Sequence, residues 1–146
     1  MSYSGSCLCG NVQFKVNTNI QTMYHCHCSL CRKQSGTAAN AATLVHQQYF
    51  EWTSGHASIS CYQKETGFRS HFCQHCGSPV PNQVGTTVLI WIPLGILDQA
   101  PKIQHRLNFC LNSKVDWADE IKADEYYSEL PEFEKLISYF DHSTQY

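Results

Sequence analysis

Apolar and polar residues alternate with a period of two along much of this chain, as they do in strands half-buried in a sheet. Over residues 11–16, Val12, Phe14 and Val16 share one face, with Gln13 and Lys15 on the other. Residues 57–62 and 68–73 read as short strands flanking a turn near Glu65, Thr66 and Gly67. The mostly apolar run 87–92 is rich in β-branched residues and predicts a central strand buried on both faces. Ile103, His105, Leu107, Phe109 and Leu111 alternate again, which predicts another long strand ending at Asn112 and Ser113. Two segments read as helix instead. Residues 29–35 suit a short helix with Ser29 as N-cap and Gly36 as its C-terminal stop. Near the C-terminus Pro131 suits the first helical position, and Glu132 and Glu134 favour the positive end of the dipole. Phe133, Leu136, Ile137 and Phe140 then share one face. The pattern predicts a mainly β fold with a C-terminal helix packed on the sheets.

No repeat, linker or low-complexity tract interrupts the chain, so a single domain over residues 1–146 is expected. Its length suffices to bury a real core. Apolar residues make up 42% and charged residues 15%, a globular composition. A formal net charge of −2 lacks the basic surplus of a nucleic-acid binder. The longest apolar stretch, residues 88–92, is far too short for a membrane-spanning helix. Residues 1–5 show no positive segment followed by an apolar one, so no secretory signal is visible and a cytoplasmic location is expected.

That location bears on the 9 cysteines. In a reducing compartment clustered thiols bind metal, and an odd count cannot pair fully into intramolecular disulfides. Three groups stand out: Cys7-x-Cys9, Cys26-x-Cys28-x-x-Cys31 and Cys73-x-x-Cys76. Residues two apart in a strand point the same way, and residues three apart converge in a turn or first helical turn. Gly77 directly after Cys76 permits the tight backbone of a zinc knuckle. Thiolates are soft donors, and zinc accepts four of them tetrahedrally without redox demands. Cys7, Cys9, Cys73 and Cys76 together make a closed set of four. Cys26, Cys28 and Cys31 then form a set of three with an open position, the mark of a catalytic site. Other divisions fit the spacing too, such as Cys73 and Cys76 completing the second group, or His25 or His27 supplying a fourth donor.

At these residues the chain resembles the glutathione-dependent formaldehyde-activating enzyme family, also known as the centromere-protein-V type domain. The resemblance lies in Gly5-Ser6-Cys7-Leu8-Cys9-Gly10, in Cys26-His27-Cys28-Ser29-Leu30-Cys31-Arg32-Lys33 with Ser35-Gly36, and in Phe72-Cys73-Gln74-His75-Cys76-Gly77-Ser78. Weaker echoes are Gly95-Ile96-Leu97-Asp98, His105 and Lys114-Val115-Asp116-Trp117. The resemblance implies several coiled antiparallel sheets, often called Mss-four-like. It implies two Zn2+ ions: a structural one on Cys7, Cys9, Cys73 and Cys76, and a catalytic-type one on Cys26, Cys28 and Cys31. Pro79 and Pro81 after the second knuckle, and Cys110 where the family's late strand is usually apolar, are departures that touch no ligand.

The implied activity is that of a carbon–sulfur lyase resembling S-(hydroxymethyl)glutathione synthase, joining glutathione, or another small thiol, to formaldehyde. His27 and His25 flank Cys26 and are the nearest candidates for orienting a ligand or moving a proton. Arg32 and Lys33 could attract the carboxylates of glutathione, and Gln34 and Ser35 could hydrogen-bond a substrate. Cys61 and Cys110 read as small buried hydrophobes, His75 as solvent-facing, and Trp52, Trp91 and Trp117 as core. Two competing functions are a non-catalytic, zinc-stapled protein-interaction module and a zinc or thiol sensor. The first requires an exposed apolar patch away from the metal, the second oxidisable thiolates at Cys26, Cys28 and Cys31.

Overall fold

The computed structural model describes residues 1–141; residues 142–146 of the expected domain lie outside the described residues. In chain order the strands are β1 (Tyr3–Ser6), β2 (Gln13–Val16), β3 (Thr22–Cys26), β4 (Asn40–His46), β5 (Phe50–Ser54) and β6 (Ile59–Gln63). They continue with β7 (Arg69–Cys73), β8 (Asn82–Gln83), β9 (Leu89–Pro93), β10 (His105–Phe109) and β11 (Glu125–Tyr126). The helices are α1 (Ser29–Ser35) and α2 (Phe133–Ser138). The fold is mainly β, built as separate sheets with a short C-terminal helix. No helix among the described residues is long and apolar enough to cross a membrane.

The chain divides into two compact units. One comprises Met1–Asn19 and Leu44–Pro101; the other comprises Ile20–Thr43 and the chain from Lys102 onward. In the first unit β1, β2 and β5 form an antiparallel sheet with β2 in the middle. Alternation works here as expected: Val12, Phe14 and Val16 are buried while Gln13 and Lys15 are exposed. The ring of Phe14 stacks on Phe50 at 5.5 Å and meets Trp52 edge-on at 6.1 Å. Phe14 also faces Gly5 across the β1–β2 ladder. A β-carbon on Gly5 would fall 2.2 Å from Phe14 Cζ, far inside van der Waals contact, so the pair needs glycine. Gly5→Ala should therefore lower stability by about 1–3 kcal/mol, the usual range for overpacking. Urea denaturation checks this; an unchanged midpoint would mean the sheet gives way freely.

Strands β6 and β7 form the expected hairpin, joined through Lys64 to Phe68. Strand β9 pairs with β8, and adjacent residues Trp91 and Ile92 are both buried, so the run is covered on both faces as its apolar sequence requires.

The second unit is organised around β10. It runs parallel to β3, with Phe109 level with Cys26, and parallel to β11. Strand β3 pairs antiparallel with β4. This sheet is thus mixed, whereas β1-β2-β5 and β6-β7 are antiparallel; strands far apart in sequence are free to pair in parallel because no tight turn ties them. Leu107, Asn108 and Phe109 are consecutive and all buried, so β10 is covered on both faces in place of showing a clean alternation. It is also shorter than its pattern predicts. Cys110 turns left-handed, with φ 58°, and Leu111–Ser113 form a 3-10 turn.

Helix α1 starts as expected but is capped by Cys28, one residue earlier than Ser29: the Cys28 side chain accepts from the Cys31 N–H. Helix α2 begins at Phe133, later than Pro131. Phe140, just past its end, is buried against Tyr24, whereas Phe133 is 49% exposed and does not join that face.

Candidate functional site

The thiols gather into two groups, one in each unit. Cys7, Cys9, Cys73 and Cys76 form the first; Cys26, Cys28 and Cys31 form the second; within each, the sulfurs all lie within 4.8 Å of one another.

In the first group the two knuckles meet. Gly10 N–H reaches Cys7 O at 2.9 Å, and Gly77 N–H reaches Cys73 O at 2.8 Å. Gly77 adopts φ 76°, a left-handed turn that a side chain would strain. Cys7 and Cys73 are buried with Val12 and Val80, under the partly buried Trp52 and Ile59. The Val12 N–H points at Cys7 Sγ at 3.2 Å. Ser78 links the knuckles: its Oγ accepts from Leu8 N–H at 2.9 Å and lies 3.3 Å from Cys76 Sγ. The Ser78 hydroxyl and N–H hold the Cys76 thiol down at about 5. The sulfurs of Cys7 and Cys9 stand 3.6 Å apart, those of Cys9 and Cys73 3.8 Å. Four sulfurs about 2.3 Å from one tetrahedral ion stand about 3.8 Å apart, so the donor set fits zinc.

The second group sits where β3 runs into α1. Cys26 ends β3 and is buried; Cys28 caps α1; Cys31 lies in its first turn, and both are half-buried. Hydrogen bonds from the Cys26 and Cys31 thiols hold Cys28 down at about 2, with help from the backbone N–H groups of Cys31 and Leu30. The same sharing pushes the Cys26 thiol far up. Before metal binds, Cys28 is therefore the thiolate of the trio. Since the thiolate is the nucleophile, protein with the second group emptied and the first left intact, treated with limiting iodoacetamide at pH 6, should be alkylated at Cys28 before Cys26 or Cys31. Mass spectrometry reads the site, and labelling of Cys26 or Cys31 ahead of Cys28 would contradict the sharing.

His27, between two of these cysteines, is 1% exposed. Its N–H joins Phe109 O at 3.0 Å, and its Nε2 lies 2.7 Å from Asn108 Oδ1. Asn108 Nδ2 donates to Ile121 O at 3.0 Å, which fixes the amide: its oxygen faces His27, so Nε2 carries the proton. His27 Nδ1 is buried without a hydrogen-bond partner among the described residues. The two ring nitrogens stand outside the group of three sulfurs.

A family model described as glutathione-dependent formaldehyde-activating enzyme matches residues 2–113, a span that includes both cysteine groups. The chain belongs to this family. A Halomonas elongata protein bearing the name "Putative glutathione-dependent formaldehyde-activating enzyme" is 30% identical over 127 residues, covering 82% of this chain and 81% of that protein. A Rhodobacter sphaeroides protein of known crystal structure superposes with a TM-score of 0.56 at 22% identity. That likeness covers 66% of this chain and 89% of that one, and it bears on the fold alone.

Around the second group of this family member, the other candidates take definite places. Arg32 Nε donates to His27 O at 3.3 Å, which seats a guanidinium beside the turn that carries Cys26 and Cys28, while Lys33 is exposed. Ser35 Oγ binds Cys31 O at 2.8 Å and lies 2.7 Å from Thr37 Oγ1, so it braces α1. Gln34 is half-buried. His25 is half-buried, and burial, then the neighbouring His27 and Arg106, hold it below the ordinary histidine range. His75 is exposed as expected, and Trp91 is buried. Two expectations fail. Cys61 is exposed, because β6 presents it on an uncovered face, and Trp117 is 73% exposed in the loop after β10. Sequence reasoning missed Asn108, because a polar residue at that position of the alternation reads as solvent-facing and so carried no signal of its burial.

Proposed function

We propose that this chain is a zinc-dependent carbon–sulfur lyase acting on a small thiol adduct, on the pattern of S-(hydroxymethyl)glutathione synthase. The reading gives a structural zinc to Cys7, Cys9, Cys73 and Cys76, and a catalytic-type zinc to Cys26, Cys28 and Cys31. The observation that carries it is the inequality of the two groups: four thiols gathered in one, three in the other. Zinc on three thiolates would supply an open position at which an incoming thiol is held as the thiolate.

The chain's own residues then prepare the reaction. His27, locked by Asn108 and the Phe109 carbonyl, holds the turn that presents Cys26 and Cys28. Its buried place suits this orienting role. Arg32, seated on the His27 carbonyl, offsets negative charge at the ligand turn and, with Lys33, favours a thiol that carries carboxylates, such as glutathione. The substrate sulfur attacks the aldehyde carbon; the C–S bond forms as the C=O π bond opens, and the oxygen takes up the proton that the thiol gave up.

Elemental analysis of zinc on wild type and Cys28→Ser, with and without glutathione, tests the reading. Two zincs per chain should fall to one in the variant, and glutathione should slow the loss of the second ion from wild type. One zinc per chain, unaffected by either, would leave a zinc-stapled interaction module.

A further inference from the structure

Cys110 belongs to neither group of sulfurs, and its sequence context reads as a buried apolar position. The structure puts it elsewhere. Phe109 lies level with Cys26 across the parallel ladder, and its carbonyl receives the His27 N–H at 3.0 Å. The next residue, Cys110, therefore emerges beside the turn that carries Cys26 and Cys28. Its half-buried thiol lies close enough to interact electrostatically with Cys26, Cys28 and Cys31.

Its backbone is also unusual. At φ 58° Cys110 is the one non-glycine among the described residues in left-handed conformation. A side chain at this conformation is strained relative to ordinary backbone. Neighbouring hydrogen bonds hold it there: Cys110 N–H to Glu129 O at 3.4 Å, Leu111 N–H to Tyr127 O at 3.1 Å, and Ser113 N–H to Cys110 O at 3.0 Å. The strand is thus turned at a cysteine that neighbours the second group, although glycine would make the same turn without strain.

We infer that Cys110 is a fourth, displaceable thiolate donor to the second cysteine group, closing that site when no small thiol is bound. The inference rests on the reading that this group holds zinc. Cys110 is a neighbour of the trio and not one of the sulfurs mutually within 4.8 Å, so it joins by a side-chain rotation and leaves the same way. Exchange with an incoming thiol balances: the thiol's sulfur takes the vacated corner and its proton ends on Cys110 Sγ. No charge is created in a half-buried site, and the resting ion is shielded from water.

The test uses cobalt in place of zinc and the variant Cys110→Gly, which accepts the left-handed backbone and so should fold. Cobalt at the first site, with its four thiolates, serves as the internal control of folding. In wild type the sulfur-to-cobalt absorption of the second ion should match that of the first. In Cys110→Gly the second ion should still bind, at least about 10-fold more weakly, the lower end of what loss of a mere outer partner costs. Its sulfur-to-cobalt band should drop and return on adding glutathione. Iodoacetamide on zinc-loaded wild type should label Cys110 slowly, and faster once glutathione is added. Equal spectra and affinity in wild type and Cys110→Gly, or labelling of Cys110 indifferent to zinc, would overturn the inference while leaving a three-thiolate site intact. A wild type that binds only one ion would overturn the zinc reading and this inference with it.

Discussion

Cys73→Ser should leave the first unit unable to hold its native fold. Cys73 ends β7 fully buried, against Cys7, Val12 and Val80, and its group ties residues from the start of the chain to the β6–β7 hairpin. With zinc proposed there, the bound ion contributes folding free energy directly, about 10–16 kcal/mol in small zinc-binding peptides. A whole domain keeps a margin of only about 5–15 kcal/mol. Loss of this site is therefore of the same size as the entire stability. Serine also leaves a hydroxyl in an apolar pocket built around sulfur. Near-UV circular dichroism, zinc content and protease resistance would report the collapse. A Cys73→Ser protein with wild-type melting temperature and full zinc content would show that the site is not what holds this unit together.

Cys28→Ser should have the opposite profile, with chemistry lost and fold kept. Cys28 serves α1 twice, as a sulfur of the second group and as the cap that accepts the Cys31 N–H. Serine is a good N-cap, so the helix start survives, but its hydroxyl does not replace a thiolate as a soft donor. The affinity for the second ion should fall by about 100-fold or more, since losing only an outer partner already costs 10–100-fold. On the proposed function, acceleration of S-(hydroxymethyl)glutathione formation should disappear, while the melting temperature shifts by only a few degrees. Cys28→Ala removes the cap as well and should cost about 1 kcal/mol more. Exchange rates by NMR and thermal melts measure the two sides. Undiminished acceleration in Cys28→Ser would end the catalytic reading, and unfolding would move the second group into the structural class.

The contrast between these variants follows from how the groups are built, and the two differ in how much a reader of the residues could see. Each knuckle is local. Cys7 and Cys9, or Cys73 and Cys76, converge through a backbone turn closed by Gly10 or Gly77, whatever the rest of the chain does. Cys26, Cys28 and Cys31 likewise meet through a strand end and one helical turn. The alternation of Val12, Phe14 and Val16 is equally local, because a strand side chain's face depends only on parity.

What spacing left open was which groups combine, and that is a matter of long-range pairing. Leu8 with Ser78, His27 with Asn108 and Cys26 with Cys110 are neighbours drawn from segments distant along the chain. The parallel pairing of β3 with β10 creates the last two at once, by setting Phe109 level with Cys26. An alternating pattern predicts that a strand exists but not its partner, direction or end, so Asn108 passed as an ordinary strand position and Cys110 as an apolar one. The exposure of Trp117, Cys61 and Phe133 has the same origin, since a hydrophobic residue is buried only where another element covers it. Local spacing was enough to name the seven thiol ligand candidates; their grouping, the locked His27 and the eighth thiol beside them arise from sheet register, which no short stretch of residues encodes.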